Sequence, residues 1–410
     1  MNAHRLRSMP AVLVLVLGLV ALAFSACGKS AHQTETVVGQ AKDVAPLAAQ
    51  GAVSLATRNT TRLGGASEAT DAAAVARTVY PALTAASRPQ AVVLVDERDW
   101  LGALAASALA GSPLGAPLLL GDASGLPAVT VQTLSALHPT GAPALGGAQV
   151  LRVGTAALPP AGYRTRSVAG ADPAATAAAI LALAPGLRAS RQVIVVPAGA
   201  APALQMPAAG LAAESGAPIL FVGRSRVPGA TATALRSMNR PAIYVVDPAD
   251  VDGVALSELR ALGTVSELTV PGAAAAGERV SENSIALARF TDGTFGWGVK
   301  EPGHGLVFAN AARPLDAAAA APLSATGDYG PLLVFEEAAR IPPAMSTYLG
   351  DIQPAYTSAP GFRPVRGVYN HGWLIGDETA ISAVVQAELD SLLQISPRKS
   401  TEEPSVTPAE

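Results

Sequence analysis

The sequence predicts an α/β protein made of three tandem, small modules, each with a parallel sheet. The first observation is a continuous apolar run, of the kind that is buried on both faces of a parallel sheet, which occurs three times. The second is that an Ala- and Gly-rich stretch and a Pro-initiated apolar run follow each of them at a spacing of 22, 22 and 23 residues. The first runs end at Val95, Val196 and Phe308, and the Pro-initiated runs are 117–120, 218–221 and 331–334. Such regular spacing indicates three copies of one module.

Each module is predicted to contain the same order of elements. A short strand runs into a glycine, a helix follows, and the continuous apolar strand comes next. An Ala-rich helix, the Pro-initiated strand, a further helix and a last strand complete the unit. The opening strands are predicted at 61–65, 166–170 and 268–272, the first helices at 71–80, 173–183 and 278–290, and the last strands near 142–145, 243–246 and 373–376, with a helix at 378–393. Strands that alternate with helices in this way are typical of right-handed βαβ units and of doubly wound, Rossmann- or Toprim-like sheets.

The first 27 residues have the layout of a secretory signal. Arg5 and Arg7 precede an apolar core at 11–24, and Cys27 follows small residues. This arrangement is similar to a bacterial lipobox, in which the cysteine receives a lipid and becomes the mature N-terminus, although Phe24 replaces the usual Leu. An ordinary cleaved signal and an uncleaved anchor are the alternatives. Because Cys27 is the only cysteine, we expect the exported fold to be stable without a disulfide.

The chain divides into segments of different composition. The segment 29–57 is polar and suits a tether, while 396–410 holds Pro, Ser, Thr and Glu with little to bury and is predicted to be disordered. The predicted boundaries are 1–27 for the lipoprotein signal, 28–57 for the tether, 58–165, 166–267 and 268–395 for the three modules, and 396–410 for the tail. The charge-free segment 100–121 is broken by Gly and Pro, so we predict a helix and a buried strand there rather than a membrane span.

Composition limits the classes of partner. With 410 residues, of which 50% are hydrophobic and 14% charged, the chain can form several cores. Aromatic residues make up only 4%, so these cores are expected to be packed with Ala, Val and Leu. A net charge of −3 gives no overall basic field, and no nucleic-acid partner is predicted.

Several of the repeated motifs resemble the cell-wall-binding repeat 2 family, and the resemblance covers about residues 57–395. The motifs are Arg-Leu-Gly-Gly at 62–65, Gly-Ala-Pro followed by three apolar residues at 115–120 and 216–221, Leu-Ile-Gly at 374–376, and Ala-Ile-Ser-Ala-Val at 380–384. The resemblance implies three modules packed about a pseudo-threefold axis and noncovalent binding of anionic polymers of the Gram-positive wall. It also implies an anion-binding role for Arg62 and a ligand-binding role for Asp316, the one acid retained at its position in the three copies. Arg62 has a second interpretation, a bridge to a carboxylate between modules.

Three other segments carry polar or aromatic residues that could form a site. Asp247, Asp250 and Asp252 follow a strand and could bind Ca²⁺ or Mg²⁺, or could form a solvated, helix-capping loop. The loop at 293–305 carries Trp297 and could contact a sugar or a partner. In the insertion 348–369, Arg363 and Arg366 lie near aromatic residues, which can stack on sugars while Arg pairs with phosphate or carboxylate; ordinary packing is the alternative.

The sequence as a whole predicts a binding protein rather than an enzyme. The histidines are far apart and fit no catalytic motif, and neither a cofactor nor a metal is predicted. We expect a monomer on the outer face of the cytoplasmic membrane, held by its N-terminal lipid and facing the cell wall, whose anionic polymer or peptidoglycan it binds. The alternative is a solute-binding lipoprotein of a transport system, but such receptors have two lobes and a hinge, whereas this chain shows three copies.

Overall fold

The structure of the protein is a computed structural model that describes residues 51–268, 279–327, 329–357, 363–366 and 369–398. The first elements are β1 (Val53–Ala56), β2 (Thr60–Gly64), α1 (Glu68–Val79), β3 (Val92–Asp96), α2 (Trp100–Ala106), β4 (Leu118–Gly121), α3 (Ala128–Leu137), β5 (Val150–Val153) and β6 (Thr165–Val168). The next are α4 (Pro173–Leu183), α5 (Pro185–Ala189), β7 (Gln192–Pro197), α6 (Pro202–Gln205), α7 (Pro207–Ser215), β8 (Ile219–Val222), α8 (Gly229–Ser237), β9 (Ala242–Val246), α9 (Gly253–Leu262) and β10 (Thr264–Leu268). The last are α10 (Arg279–Arg289), β11 (Gly305–Asn310), α11 (Leu315–Pro322), β12 (Leu332–Phe335), α12 (Pro343–Asp351), β13 (Ala355–Thr357), β14 (Arg363–Arg366), β15 (His371–Ile375), α13 (Ala383–Leu393) and β16 (Ser396–Arg398).

The strands form three equivalent parallel sheets, which confirms the predicted α/β class. The first sheet has the order β4-β3-β5-β6, the second β8-β7-β9-β10, and the third β12-β11-β15-β2, with β1 antiparallel to β2 at its edge. The central strands are apolar throughout, and β3, for example, is buried along its whole length. Two-sided burial explains why these runs read as continuous rather than alternating in the sequence.

The sheets exchange strands between neighbouring modules. The sequence pattern places an opening strand at the start of each module, but β6 pairs with β5 of the preceding sheet. All but Leu268 of the third opening strand, predicted at 268–272, lies outside the described residues, and β10, which ends at Leu268, pairs with β9 of the second sheet. The first opening strand, β2, pairs with β15 near the other end of the chain, where Arg62 lies opposite Leu374. The three modules are therefore joined cyclically, and the contact of β2 with β15 closes the ring.

Small side chains allow the three modules to meet at the centre. Ala110, Ala213 and Ala321, one from the Ala-rich helical segment of each module, form a buried cluster. A Cβ atom added to Gly111 would lie only 2.1 Å from the carbonyl oxygen of Ala213, so this position has no space for a side chain. The richness in alanine thus reflects close helix packing around the pseudo-threefold axis.

A repeated hydrogen bond shows how alike the first two modules are. Thr130 Oγ1 donates to the carbonyl oxygen of Leu120 at 2.6 Å, and Thr231 Oγ1 donates to that of Phe221 at the same distance. Both threonines are fully buried in helices that follow the Pro-initiated strand. The bond satisfies a hydroxyl group that would otherwise be costly to bury.

Three predicted elements differ from the structure. The strand predicted near 142–145 is wrong: a 3₁₀ turn occupies Pro143–Leu145, because Gly146 and Gly147 take left-handed conformations, and the strand is Val150–Val153. The helix predicted from residue 378 begins at Ala383, where Ser382 caps it. In the segment predicted to be a disordered tail, Ser396–Arg398 forms β16, which pairs with β13.

The segment 100–121 contains α2 and β4, as predicted. Within the described part of the chain, no helix is long and apolar enough to cross a bilayer.

Candidate functional site at the closing junction

The first helix of the chain meets the third module at the carboxyl ends of the strands of the third sheet. Ser67 caps α1 by accepting a hydrogen bond from the backbone N–H of Thr70, which fixes the start of the helix just after β2. Across the junction, α1 packs along α11. Ligands of open α/β sheets bind at this edge, so the polar groups here are the first candidates for a site.

Asp71 is fully buried in α1 and is held from two sides. Its Oδ1 atom accepts a hydrogen bond of 2.6 Å from the backbone N–H of Gly65, and its Oδ2 atom pairs with the guanidinium group of Arg313. Gly64 has a φ of +120°, and a Cβ atom there would lie 2.0 Å from Asp71 Oδ1. The glycine therefore leaves the space that the carboxylate occupies.

Asp316, a predicted ligand-binding residue, is also fully buried and lies in the same cluster. Its Oδ2 atom lies 3.2 Å from Arg313 Nε, but no hydrogen-bond donor among the described residues reaches either of its oxygens in good geometry. On the rim, Arg313 is 3.8 Å from Asp377, and Glu68 Oε1 accepts a hydrogen bond from the backbone N–H of Leu315. One arginine therefore faces several carboxyl groups.

The two buried carboxyl groups have raised pKa values. Burial is the largest cause for Asp71 and raises its pKa to about 6, although Arg313 and the hydrogen bond from Gly65 oppose the shift. Burial, followed by the negative charge of Asp71, raises the pKa of Asp316 well above the usual range. Two carboxyl groups that share a site do not both ionise readily.

Arg62, the other residue assigned by resemblance, is buried beneath this cluster with only 2% of its surface exposed. Its guanidinium group donates to the side-chain oxygen of Gln386 and to the carbonyl oxygens of Gly376, Asp377 and Ile381, at 2.6 to 3.0 Å. The geometry matches the interpretation as a bridge between modules, with carbonyl and amide oxygens in place of the carboxylate. In this structure the guanidinium group is not exposed to a polymer.

Arg363 and Arg366 lie on β14 in a small sheet of order β14-β13-β16, away from the three main sheets. The register places Arg363 opposite Thr357 and Arg366 opposite Ala355. On the other side of β13, Arg398 is also opposite Thr357. The backbone pairing therefore brings a third arginine position, distant in sequence, into the same small sheet as the two predicted ones.

The acidic cluster after β9 forms ion pairs rather than a metal site. Asp247 pairs with Arg279, Asp250 lies 3.7 Å from Arg279, and Asp252 caps α9. In the residues that the structure describes, no group of three or more His, Cys, Asp or Glu side chains has the arrangement to hold a metal ion.

Of the aromatic residues considered as sugar contacts, Tyr369 is exposed, whereas Trp297 and Tyr348 are packed. Trp297 is half-buried against the core, and Tyr348 is 1% exposed and donates a hydrogen bond to the carbonyl oxygen of Val299. Arg289 lies 5.0 Å above the Tyr348 ring, so this arginine is part of the packing as well.

Sequence reasoning missed Arg313 and the place of Asp71 in this buried cluster. One local signal was present, since Asp71 interrupts a helix whose neighbouring residues at 72–76 are all buried and apolar. The three-residue spacing of Arg313 and Asp316 was another. Nothing local, however, connects two residues that are 242 positions apart.

Comparison with known proteins relates this arrangement to two bacterial proteins at the level of the fold. Cwp6 from Clostridium difficile matches with a TM-score of 0.64 and 17% sequence identity over 84% of this chain and 51% of its own length. Cwp8 from Clostridium difficile matches with a TM-score of 0.60 and 17% identity over 82% of this chain and 52% of its own length. The chain thus spans about half the length of each. No protein-family model and no curated protein sequence matches it.

Proposed function

We propose that this chain is a lipid-anchored, non-enzymatic protein of the cell envelope whose three modules contact the cell wall or its anionic glycopolymers. The observation that carries the proposal is the cyclic arrangement of three strand-exchanging modules, a fold similar to that of Cwp8 and Cwp6, which are cell wall proteins. The resemblance of the repeated motifs to cell-wall-binding repeat 2 supports the same role from the sequence.

The surface that best suits an anionic polymer is the small sheet of the third module. Three arginines lie on its two outer strands, on either side of Thr357 and Ala355, and its described residues include no acid. Arginine binds phosphate and carboxylate groups with paired, charge-assisted hydrogen bonds. In a chain with a net charge of −3, such a local concentration of positive charge favours an anionic ligand at this place.

The alternative, a solute-binding receptor, fits the cyclic fold less well. Two-lobed receptors close on a ligand by bending at a hinge between lobes. Here each module donates a strand to its neighbour's sheet, and buried helices meet at the axis, so no two modules form a separate pair.

Binding to isolated Gram-positive cell walls tests the proposal. Protein comprising residues 28–410 should sediment with walls and lose most of this binding once the anionic polymers are stripped. Arg363→Ala/Arg366→Ala should weaken binding about tenfold or more, since each charge-assisted contact contributes on the order of 1 kcal/mol or more.

The matched control is Arg166→Ala/Arg236→Ala, which removes the same charge from two exposed positions on other modules. Equal losses in the two double variants would indicate a general charge effect and would remove the small sheet as the site. Protein that remains in solution with both kinds of wall would refute wall binding itself.

Lipid attachment at Cys27 is tested by Cys27→Ala in the full chain. We expect the wild-type protein in the membrane fraction and the variant in the soluble exported fraction, because several buried acyl chains can hold a protein to the membrane without a spanning helix. A variant that stays with the membrane would contradict a lipid anchor at this residue.

A further inference from the structure

The closing junction differs from the other contacts between modules because it joins distant parts of the chain. Asp71 and Arg313 are 242 residues apart, and the contacts of Arg62 with the third module span 314 to 324 residues. No short connection holds α1 against α11, so noncovalent contacts alone keep the ring closed there. The ionisation of groups at this junction therefore affects closure directly.

Taken together, the elements around the buried pair contribute more acidic than basic groups. From α1 come Glu68 and Asp71, from α11 and the turn before it Asp316 and Arg313, and from the loop after β15 Asp377. Beyond these, the negative charge of Glu97 helps to raise the pKa of Glu68. Arg62 on β2 is close enough to Glu378 and Asp377 to interact with their charges. Arg313 is the one cation in contact with both buried carboxyl groups among the residues described.

A second negative charge in this buried space needs hydrogen-bond donors or a positive charge to offset it. The described residues supply these only in part. The described residues include no cluster of three or more His, Cys, Asp or Glu side chains that could hold a metal ion. Asp71 already receives the N–H of Gly65 and the Arg313 guanidinium group, whereas neither oxygen of Asp316 accepts a well-aligned hydrogen bond. A proton on Asp316 can be donated to the neighbouring carboxylate of Asp71, which satisfies both groups at once.

We propose that a proton held between Asp71 and Asp316 closes the ring of modules, so that the junction between α1 and α11 is tightest in mild acid and loosens as the pH rises. The proton is taken from water when the junction closes and is returned when it opens. The device acts on ring closure and does not depend on the wall-binding role.

The direction follows from the buried position of the pair. The closed state holds a proton that an opened, hydrated pair would release, so its contribution to closure is fully present below the ordinary pKa of Asp. It is lost as the pH rises through the closed-state pKa of the pair, which burial raises to about 6 for Asp71 and well above the usual range for Asp316. For one proton with a closed-state pKa of about 6, the opening equilibrium constant should increase about tenfold between pH 5 and pH 7, and a higher pKa of the pair increases it further.

Hydrogen exchange measured by mass spectrometry, corrected for the intrinsic pH dependence of exchange, tests the proposal on the wild-type chain. Protection of peptides from α1 and α11 should fall about tenfold from pH 5 to pH 7. Peptides from α4, the equivalent helix of the second module, serve as an internal control because Thr176 takes the place of Asp71 there, and they should change less than about twofold. Equal changes in α1 and α4 would overturn the proposal.

Asp316→Asn separates the effect of the shared proton from other effects of pH, since the amide can donate a hydrogen bond to Asp71 at every pH. Its α1 peptides should lose clearly less protection between pH 5 and pH 7 than those of the wild type, because only Asp71, whose pKa burial raises, can still titrate in the pair. Asp247→Asn is the matched control, because Asp247 is likewise buried beside an arginine but lies away from this junction, and it should keep the tenfold change. A full pH dependence in folded Asp316→Asn would refute the shared proton. If that variant does not fold, the comparison of α1 with α4 in the wild type decides alone.

Discussion

In the closing junction and in the junction between the first two modules, a buried side chain accepts the backbone N–H of a glycine, but the two side chains differ. Asp71 accepts the N–H of Gly65 at 2.6 Å in the closing junction, and Thr176 accepts the N–H of Gly170 at 3.0 Å in the other, each over a separation of six residues. Both side chains are buried in the helix that follows the exchanged strand. A neutral hydroxyl group is therefore sufficient to fix this turn.

The difference extends to the facing module. Asn310 and Asp96 end equivalent strands, and each accepts the backbone N–H two residues later. Counting from them, Asp99 corresponds to Arg313 and Gly102 to Asp316. The first junction thus has no carboxyl group at the positions of Asp71 and Asp316, and Asp99 caps α2 instead. The same fold forms with either set of residues, so folding alone does not require the charged cluster of the closing junction.

The largest expected effect of breaking the closing junction comes from Arg62→Met. The apolar chain can fill much of the space, but the oxygens of Gln386, Gly376 and Ile381 lose their donor. At about 1 to 3 kcal/mol for each unsatisfied buried group, the free energy of unfolding should fall by about 3 kcal/mol or more, measured by urea denaturation.

Ser167→Ala is the control for this prediction, since Ser167 occupies the corresponding place on β6 and is exposed. It should change the stability by less than about 0.5 kcal/mol. A similarly small effect of Arg62→Met would show that ring closure does not depend on the buried guanidinium group.

A smaller effect is expected when the charge of the closing junction is moved to the first one by Thr176→Asp. The new carboxylate would lie near Asp99 rather than near an arginine, so we expect a loss of about 2 kcal/mol at pH 7. The loss should be smaller at pH 5, because a buried carboxyl group with a raised pKa is partly protonated there.

Thr176→Asn keeps the size and the acceptor of the aspartate without its charge, so its loss of stability relative to the wild type should be the same at pH 5 and pH 7. Thermal unfolding of the two variants at both pH values makes the comparison. If Asp and Asn at this position behave alike, the two junctions do not differ in how they tolerate charge.

Much of the fold was predictable because its signals are local. The apolar runs gave β3, β7 and β11, and the helix at Pro173–Leu183 has the predicted bounds, since Asp172 and the following Pro mark its start. The strand near 142–145 was misplaced because an apolar run containing Pro143 was preferred over Val150–Val153, which a charged residue, Arg152, interrupts. Among the predicted site residues, Asp316 was singled out by its position in the repeat, whereas its partner Asp71 was not, and a ligand-binding role of Asp316 stays a prediction.

The sequence by itself determined that three α/β modules exist, because burial on both faces of a sheet and helix capping each depend on residues that are neighbours in the sequence. Only the tertiary structure decided which sheet each opening strand joins, since the sequence of so short a strand allows pairing with the sheet of either neighbouring module. It also decided the environments of Arg62 and Asp316. Burial beside groups more than 240 residues away determines whether a charge binds a ligand, holds a proton or joins two modules, and no local pattern contains that information.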